Sequence, residues 1–308
     1  MRNTEVRLAI PLLLVALAPL GLSQPAPDAS PPAPAQTAPT RSQPAPAKDW
    51  DALNKQIEDV YLQGNFPEAL RLAKLAVDEA TTPAQSGRSL DRLGYLYYVS
   101  GNLKDGEAFL RQGLELRRTK IGPDTADYAE SLNDLALFCR DTRRLPEARS
   151  LAEEAVAVRS RVLGAKDPLL AETMETLGSI YSAQGEYELS ASTFDKARAI
   201  YESQLDPKNP PPEYGTLLVN IAGNDQRLGK YRKAEADFTT ALQVLGKDPG
   251  VNHPIYATSL MGPAYLEMDL GNYVASEKYF AEAVDRIRKT LGDQHPIYAQ
   301  VLDHRAVL

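Results

Sequence analysis

Residues 127–164 read DYAESLNDLALFCRDTRRLPEARSLAEEAVAVRSRVLG. Leu132, Leu135, Ala136 and Cys139 fall at helical spacing and share one apolar face, which predicts a first helix. Leu145, Ala148, Ala152, Ala155 and Val156 do the same for a second helix, and residues 141–144 form the turn between them. A single pair of this kind cannot hide its apolar face, so it must stack on neighbours.

The same cassette recurs along the chain. A small residue stands inside the first helix at Gly94, Ala136, Gly178, Ala222, Ala264 and Ala306, with Ile57 as the exception, at a step of about 42 residues. A second small column follows at Ala69, Gly106, Ala148, Ser190, Ala234 and Ser276, and a third at Ala76, Gly113, Ala155, Ala197, Ala241 and Ala283. Glycine inside a helix costs roughly 1 kcal/mol relative to alanine, so its recurrence implies close helix approach. Tyr97, Tyr181, Phe194, Phe238 and Phe280 stand where large residues would fill the gaps. The turns carry Gly64, Gly101, Gly185, Gly229 and Gly271, each two residues before an apolar side chain. Arg143 takes the glycine place in the third cassette, which predicts a looser turn there. The links between cassettes end in Asp167-Pro168, His253-Pro254 and His295-Pro296, with proline at the first helical position.

These small columns, glycine turns and paired helices resemble the tetratricopeptide repeat. The period near 42 and the two His-Pro-Ile-Tyr-Ala links (253–257 and 295–299) look like its kinesin-light-chain-type variant. The resemblance covers residues 49–308. It implies an all-α fold, a right-handed superhelical solenoid of antiparallel helix pairs, with six pairs and the start of a seventh. It also implies a concave groove that binds a protein or peptide partner. Leu308 falls in the first helix of the seventh cassette, so that helix is either a cap or the start of more chain.

The ends and the composition narrow the setting. Residues 1–23 read as a signal peptide, with Arg2 and Arg7 ahead of an apolar run from Leu8 to Leu22 that is short for a membrane span. Residues 24–48 are rich in proline and alanine and predict a disordered linker. The expected location is therefore outside the cytoplasm, periplasmic or secreted, with an uncleaved membrane anchor as the less favoured alternative. The net charge is −7 with basic residues scattered, which argues against nucleic acid or an anionic membrane surface as partner.

Within each first helix, the positions six and three before the small residue, and one and four after it, form one stripe. In a tetratricopeptide-like stack this stripe lines the groove. The candidate peptide-binding residues are Arg88, Asp91, Tyr95, Tyr98, Asn133, Arg140, Glu175, Gln226 and Tyr265. Tyr95 and Tyr98 beside Arg88 and Asp91 are the most ligand-like group, since rigid aromatics next to charges make binding hot spots. Asn133 can hydrogen-bond an extended peptide backbone. Asp225 and Glu267 occupy the column filled by Tyr97, Cys139 and Tyr181. They are expected either to share a polar pocket or, on a locally rotated helix, to face water, the second being favoured. Pro263 should kink the first helix of the sixth cassette.

Chemistry-bearing patterns are sparse. His253, His295 and His304 lack metal-ligand spacing, Cys139 sits on a core stripe, and there is no phosphate-cradling glycine loop. No cofactor and no catalytic residue is expected. The reading is a non-catalytic interaction scaffold. The alternatives are the recognition arm of a longer enzyme, for example a caspase-like peptidase, or a homo-oligomeric assembly platform.

Overall fold

Helix starts in this chain are set by capping side chains followed by proline. Thr82 accepts from the Gln85 N–H while the Gln85 side chain returns to the Thr82 backbone, ahead of Pro83. Asp167 accepts from the Leu169 N–H at 2.9 Å, and the Nδ1 atoms of His253 and His295 accept from Ile255 and Ile297 at 3.2 and 3.1 Å. Each bond satisfies a donor that the first helical turn leaves open. A histidine can do this only while its ring is neutral.

The computed structural model describes residues 49–293 and 295–306. The signal peptide and linker expected over 1–23 and 24–48 lie outside the described residues. Among the described residues all regular structure is helical. The pairs are α1 (Trp50–Leu62) with α2 (Phe66–Asp78), α3 (Pro83–Val99) with α4 (Leu103–Lys120), and α5 (Ala126–Asp141) with α6 (Leu145–Val162). They continue with α7 (Pro168–Ala183) and α8 (Tyr187–Glu202), then α9 (Pro212–Arg227) and α10 (Tyr231–Leu245). The sixth pair has a divided first helix, α11 (Pro254–Ser259) and α12 (Met261–Asp269), against α13 (Tyr273–Leu291), and α14 (Pro296–Arg305) follows. The pairs stack as a right-handed all-α solenoid, first helices inside and second helices outside.

The small columns are the seams of this stack. Ala136, Ala148, Ala155, Ala222, Ala234 and Ala241 are fully buried. The tightest seam joins α3 to α4. A Cβ on Gly94 would stand 2.9 Å from the Gly106 carbonyl oxygen, and one on Gly106 would stand 3.0 Å from the Gly94 carbonyl oxygen. Elsewhere a ring fills the space that a missing Cβ leaves: Phe194 lies against Gly178, and Phe238 lies against Gly262 of the next cassette. Tyr97 stacks on Phe109 at 5.5 Å between ring centres. Ala306, the last member of the first column, is exposed because no second helix covers it among the described residues.

Two local expectations are settled by backbone geometry. Pro263 has no N–H to give to the Ser259 carbonyl, and the helix divides at Leu260 as the proline requires. The Arg143 turn, expected to be looser, is instead the same shape as the glycine turns. Arg143 adopts φ +62° and donates to Arg140 O at 3.0 Å, while Arg144 donates to Cys139 O at 2.8 Å. The Gly185 turn makes the same two bonds, from Gly185 to Ser182 O and from Glu186 to Tyr181 O. The two capping bonds outweigh the steric cost of a left-handed arginine.

The solenoid completes a turn, and its ends meet. A Cβ on Gly64, in the first hairpin's turn, would lie 2.7 Å from the carbonyl oxygen of Leu291 at the end of α13. The His295 ring sits 4.7 Å from Phe66 and 6.3 Å from Tyr61. It is 3 % exposed, and burial pulls its pKa down to about 4, which keeps it neutral as its capping role demands.

The left-handed conformation costs a residue with a Cβ about 1–2 kcal/mol, and glycine is free of that cost. The Arg143 side chain is exposed. Arg143→Gly is therefore expected to stabilise the chain by about 1 kcal/mol, read as a higher thermal midpoint by circular dichroism, with no change in helix content.

Candidate functional site

The stripe on the first helices forms a ladder, in which each cassette hydrogen-bonds to the next across the concave wall. Arg92 donates to Asn54 Oδ1 at 2.6 Å. The Tyr61 and Tyr95 hydroxyls meet at 3.2 Å, and Tyr98 donates to Asp141 at 3.0 Å. Arg140 donates to Ser179 Oγ at 2.8 Å, Asn220 to Glu175 Oε1 at 2.6 Å, and Gln226 to Asp269 at 2.6 Å. Tyr265 is bonded to His304 Nδ1. The partners are a cassette apart in sequence and face each other only because the first helices stack in register.

This ladder places the candidate residues. Asp91, Asn133, Arg140, Glu175, Gln226 and Tyr265 are buried, and Arg88, Tyr95 and Tyr98 are half-buried. Tyr61, Tyr95, Tyr98 and Phe138 form a run of rings 5.4–6.5 Å apart along the wall. Arg88 lies over the Trp50 ring at 5.9 Å. Asp91 turns away from the tyrosines to an ion pair with Arg117 at 2.7 Å and a bond from Ser131 at 2.9 Å. The group Arg88, Asp91, Tyr95 and Tyr98 is thus divided between a buried ion pair and an aromatic run.

Sequence reasoning missed Arg117 and Arg159. Both are essentially inaccessible to solvent. Arg117 donates to Asp127 O and Ser131 Oγ, each at 2.8 Å. Arg159 donates to Leu169 O at 2.7 Å and Thr173 Oγ1 at 2.6 Å. Each arginine ends a second helix and pins the start of the next first helix. The available signal was periodic: in both cassettes the hydroxyl stands 14 residues after the arginine.

The expectation for Asp225 and Glu267 is corrected. Asp225 is not in water. It is buried and held by Lys233 at 2.8 Å and Lys230 at 3.6 Å, so its charge is matched from the next helix. Glu267 is half-buried and accepts from Asn272 at 2.8 Å. The two acids have separate partners and share no pocket.

Electrostatics mark the middle of the wall. Burial raises Asp91 to about 7, against the pull of Arg117. Burial raises Glu175 to about 8, against the Asn220 hydrogen bond. Asp134 is pushed well above the usual carboxylate range by burial and by Asp91 and Glu130. Cys139 is buried, which pushes its thiol up to about 12, so it carries no nucleophile at neutral pH. No group of His, Cys, Asp and Glu among the described residues is arranged to hold a metal ion. No helix among them is long and apolar enough to cross a membrane.

Glu175 is protonated in the folded chain up to about pH 8, whereas an unfolded chain ionises near 4.5. The folded state binds more protons between those values, so this group's contribution is present below the lower one and is lost as pH rises through the upper. Glutamine keeps the acceptor for Asn220 without the titration. The expected result is that Glu175→Gln matches the parent's thermal midpoint at about pH 4 and exceeds it by several degrees at about pH 9.

Family models described as tetratricopeptide repeat match residues 127–203 in one form, and 87–127 and 257–297 in another, together half of the chain. The RxLR effector protein SFI4 of Phytophthora infestans is 26 % identical over 113 residues, which cover 37 % of this chain and 33 % of that protein. The match thus spans about a third of that relative's length. Among solved structures, nearly identical TPR-like repeats from a protein named as a kinesin light chain of Podosopora anserina superpose with a TM-score of 0.51 at 18 % identity, over 68 % of this chain and 99 % of that one. The Rap protein complexed with Competence and Sporulation Factor superposes with a TM-score of 0.58 at 13 % identity, over 84 % of this chain and 76 % of that one. Stacked helix pairs, small-residue seams and these family matches lead to one conclusion: the chain belongs to the tetratricopeptide repeat family.

Proposed function

We propose that this chain is a non-catalytic interaction scaffold whose concave wall holds an extended peptide or protein segment. Repeats of this family serve protein interaction in general, and the groove is the specific part of the reading. The observation that carries it is a pair of open acceptors on that wall. The amide oxygens of Asn133 and Gln226 are buried and meet no donor among the described residues. Native proteins leave few such groups, because each costs about 1–3 kcal/mol. Backbone N–H groups of an extended peptide would supply the missing donors. The run of Tyr61, Tyr95 and Tyr98 offers rigid rings beside them, with little side-chain entropy to lose on binding. That the similarly folded Rap protein is complexed with Competence and Sporulation Factor is consistent with this use of the fold.

Peptides selected from a displayed random library on the full chain test the reading. Tyr95→Ala combined with Tyr98→Ala is expected to weaken the selected peptides at least about tenfold. Tyr273→Ala combined with Val274→Ala, on the exposed turn edge of the sixth cassette, should leave them unchanged. Equal loss from both pairs would move binding to the turn edge and remove the groove reading.

The same proposal places the protein outside the cytoplasm, supported by Arg2 and Arg7 ahead of the apolar run Leu8–Leu22. Mass spectrometry of the chain recovered from its producing cell is expected to find an N-terminus at Gln24. Recovery with Met1 or Arg2 in place would overturn that part.

A further inference from the structure

Two links of the chain carry the same sequence, His-Pro-Ile-Tyr-Ala, and use its histidine as the same kind of cap. Nδ1 of His253 accepts from the Ile255 N–H at 3.2 Å, and Nδ1 of His295 accepts from the Ile297 N–H at 3.1 Å. Their surroundings differ. His253 is half-buried in the link between the fifth and sixth cassettes. His295 is 3 % exposed and stands where the last link meets the first hairpin, its ring 4.7 Å from Phe66 and 6.3 Å from Tyr61. The same junction brings the Gly64 turn against the end of α13, where a Cβ would lie 2.7 Å from the Leu291 carbonyl oxygen.

This junction holds a neutral ring only. An Nδ1 that accepts leaves the ring's one proton on Nε2, which is buried with no partner among the described residues. A second proton must therefore go to Nδ1. It removes the lone pair that caps α14, sets one N–H against another at Ile297, and puts a charge beside two aromatic rings away from water.

We propose that His295 is the pin of a clasp between the first hairpin and the last link, and that a proton on its Nδ1 releases the clasp and opens the superhelix. His253, with the same cap but outside the junction, has no such effect.

The groups packed around the ring supply no counter-charge. From α1 it meets Tyr61, whose phenol is held above its usual range by burial and so stays neutral. From α2 it meets Phe66, and Glu68 of that helix is paired with Arg71 at 2.8 Å. Near the end of α13, Asp285 is paired with Lys289 at 2.6 Å and Arg288 at 3.4 Å. Asp293 stands in the link itself. On α14, Asp303 precedes His304, which is bonded to Tyr265, and Arg305, which is paired with Glu277. None of these charges moves the ring, and burial alone pulls its pKa down to about 4. A released ring returns to its ordinary 6.5, so closure is at full strength above that value and weakens as pH falls from 6.5 toward 4. The two values make closure about thirtyfold weaker at pH 5 than at pH 7.5.

Electron-spin distance measurements on the full chain test this, with nitroxides at Gln63→Cys and Lys289→Cys in a Cys139→Ala background. A single short distance is expected at about pH 7.5. At about pH 5 a longer one should appear, its ratio to the short one raised about thirtyfold, with the circular dichroism of the helices unchanged. His295→Phe keeps a ring and His295→Asn keeps a capping acceptor, and neither can take the proton. Each is expected to give the same distances at both pH values. His253→Asn should respond to pH as the parent does. A parent that keeps the short distance at pH 5 would overturn the proposal. So would a pH response that persists in both His295 variants, or one that His253→Asn abolishes. Helix content falling in step with the longer distance would mean general acid unfolding and would overturn it as well.

Discussion

The structure depends on backbone meeting backbone at the small-residue seams. At Gly94 and Gly106 the two helices of a pair approach so closely that either Cβ would strike the other's carbonyl oxygen. This separation sets the thickness of each hairpin and therefore the spacing at which first helices can stack. Where the separation is larger, a ring fills it, as Phe194 does against Gly178. Both solutions close the seam, one by removing atoms and one by inserting them.

The concave wall follows from that spacing. First helices held in register bring each polar side chain opposite one from the next cassette. Hydrogen bonds such as Asn220 to Glu175 and Gln226 to Asp269 result. Buried polar groups in such a ladder are costly when open and specific when satisfied. The buried Arg117 and Arg159 do similar work by tying each link to the helix before it. The wall is thus a load-sharing part of the fold as well as the candidate binding face. A ligand there would complete a network that the chain leaves unfinished at Asn133 and Gln226.

Closure of the superhelix adds a second constraint. Gly64 packs on the end of α13, and His295 lies between Tyr61 and Phe66. The histidine serves as helix cap and as end contact at once, and both uses need the neutral ring. Burial within the stack, not the end contact, is what raises Glu175 to about 8.

Periodicity made the hairpins legible in the sequence. The small columns, the turn glycines and the X-Pro links report local geometry, and local geometry is dictated by backbone sterics and by helical spacing. Asp167 as a cap and Pro263 as a break are readable for the same reason. Partner choice across the stack was not readable. Asp91 and Tyr95 share a helix face by spacing, yet Asp91 goes to Arg117, because a buried carboxylate needs a cation and the stack brings one from α4. Asp225 likewise finds Lys233 from the next helix. Arg143, expected to loosen its turn, instead takes the left-handed conformation, because residue type states a preference, whereas the capping bonds of a packed helix end decide the conformation. The sequence by itself determined the repeat, its register and the residues on each helix face. Tertiary structure alone decided which buried charges pair, which amides stay open and where the ends meet, since these depend on the angle between successive cassettes, which no short-range pattern encodes.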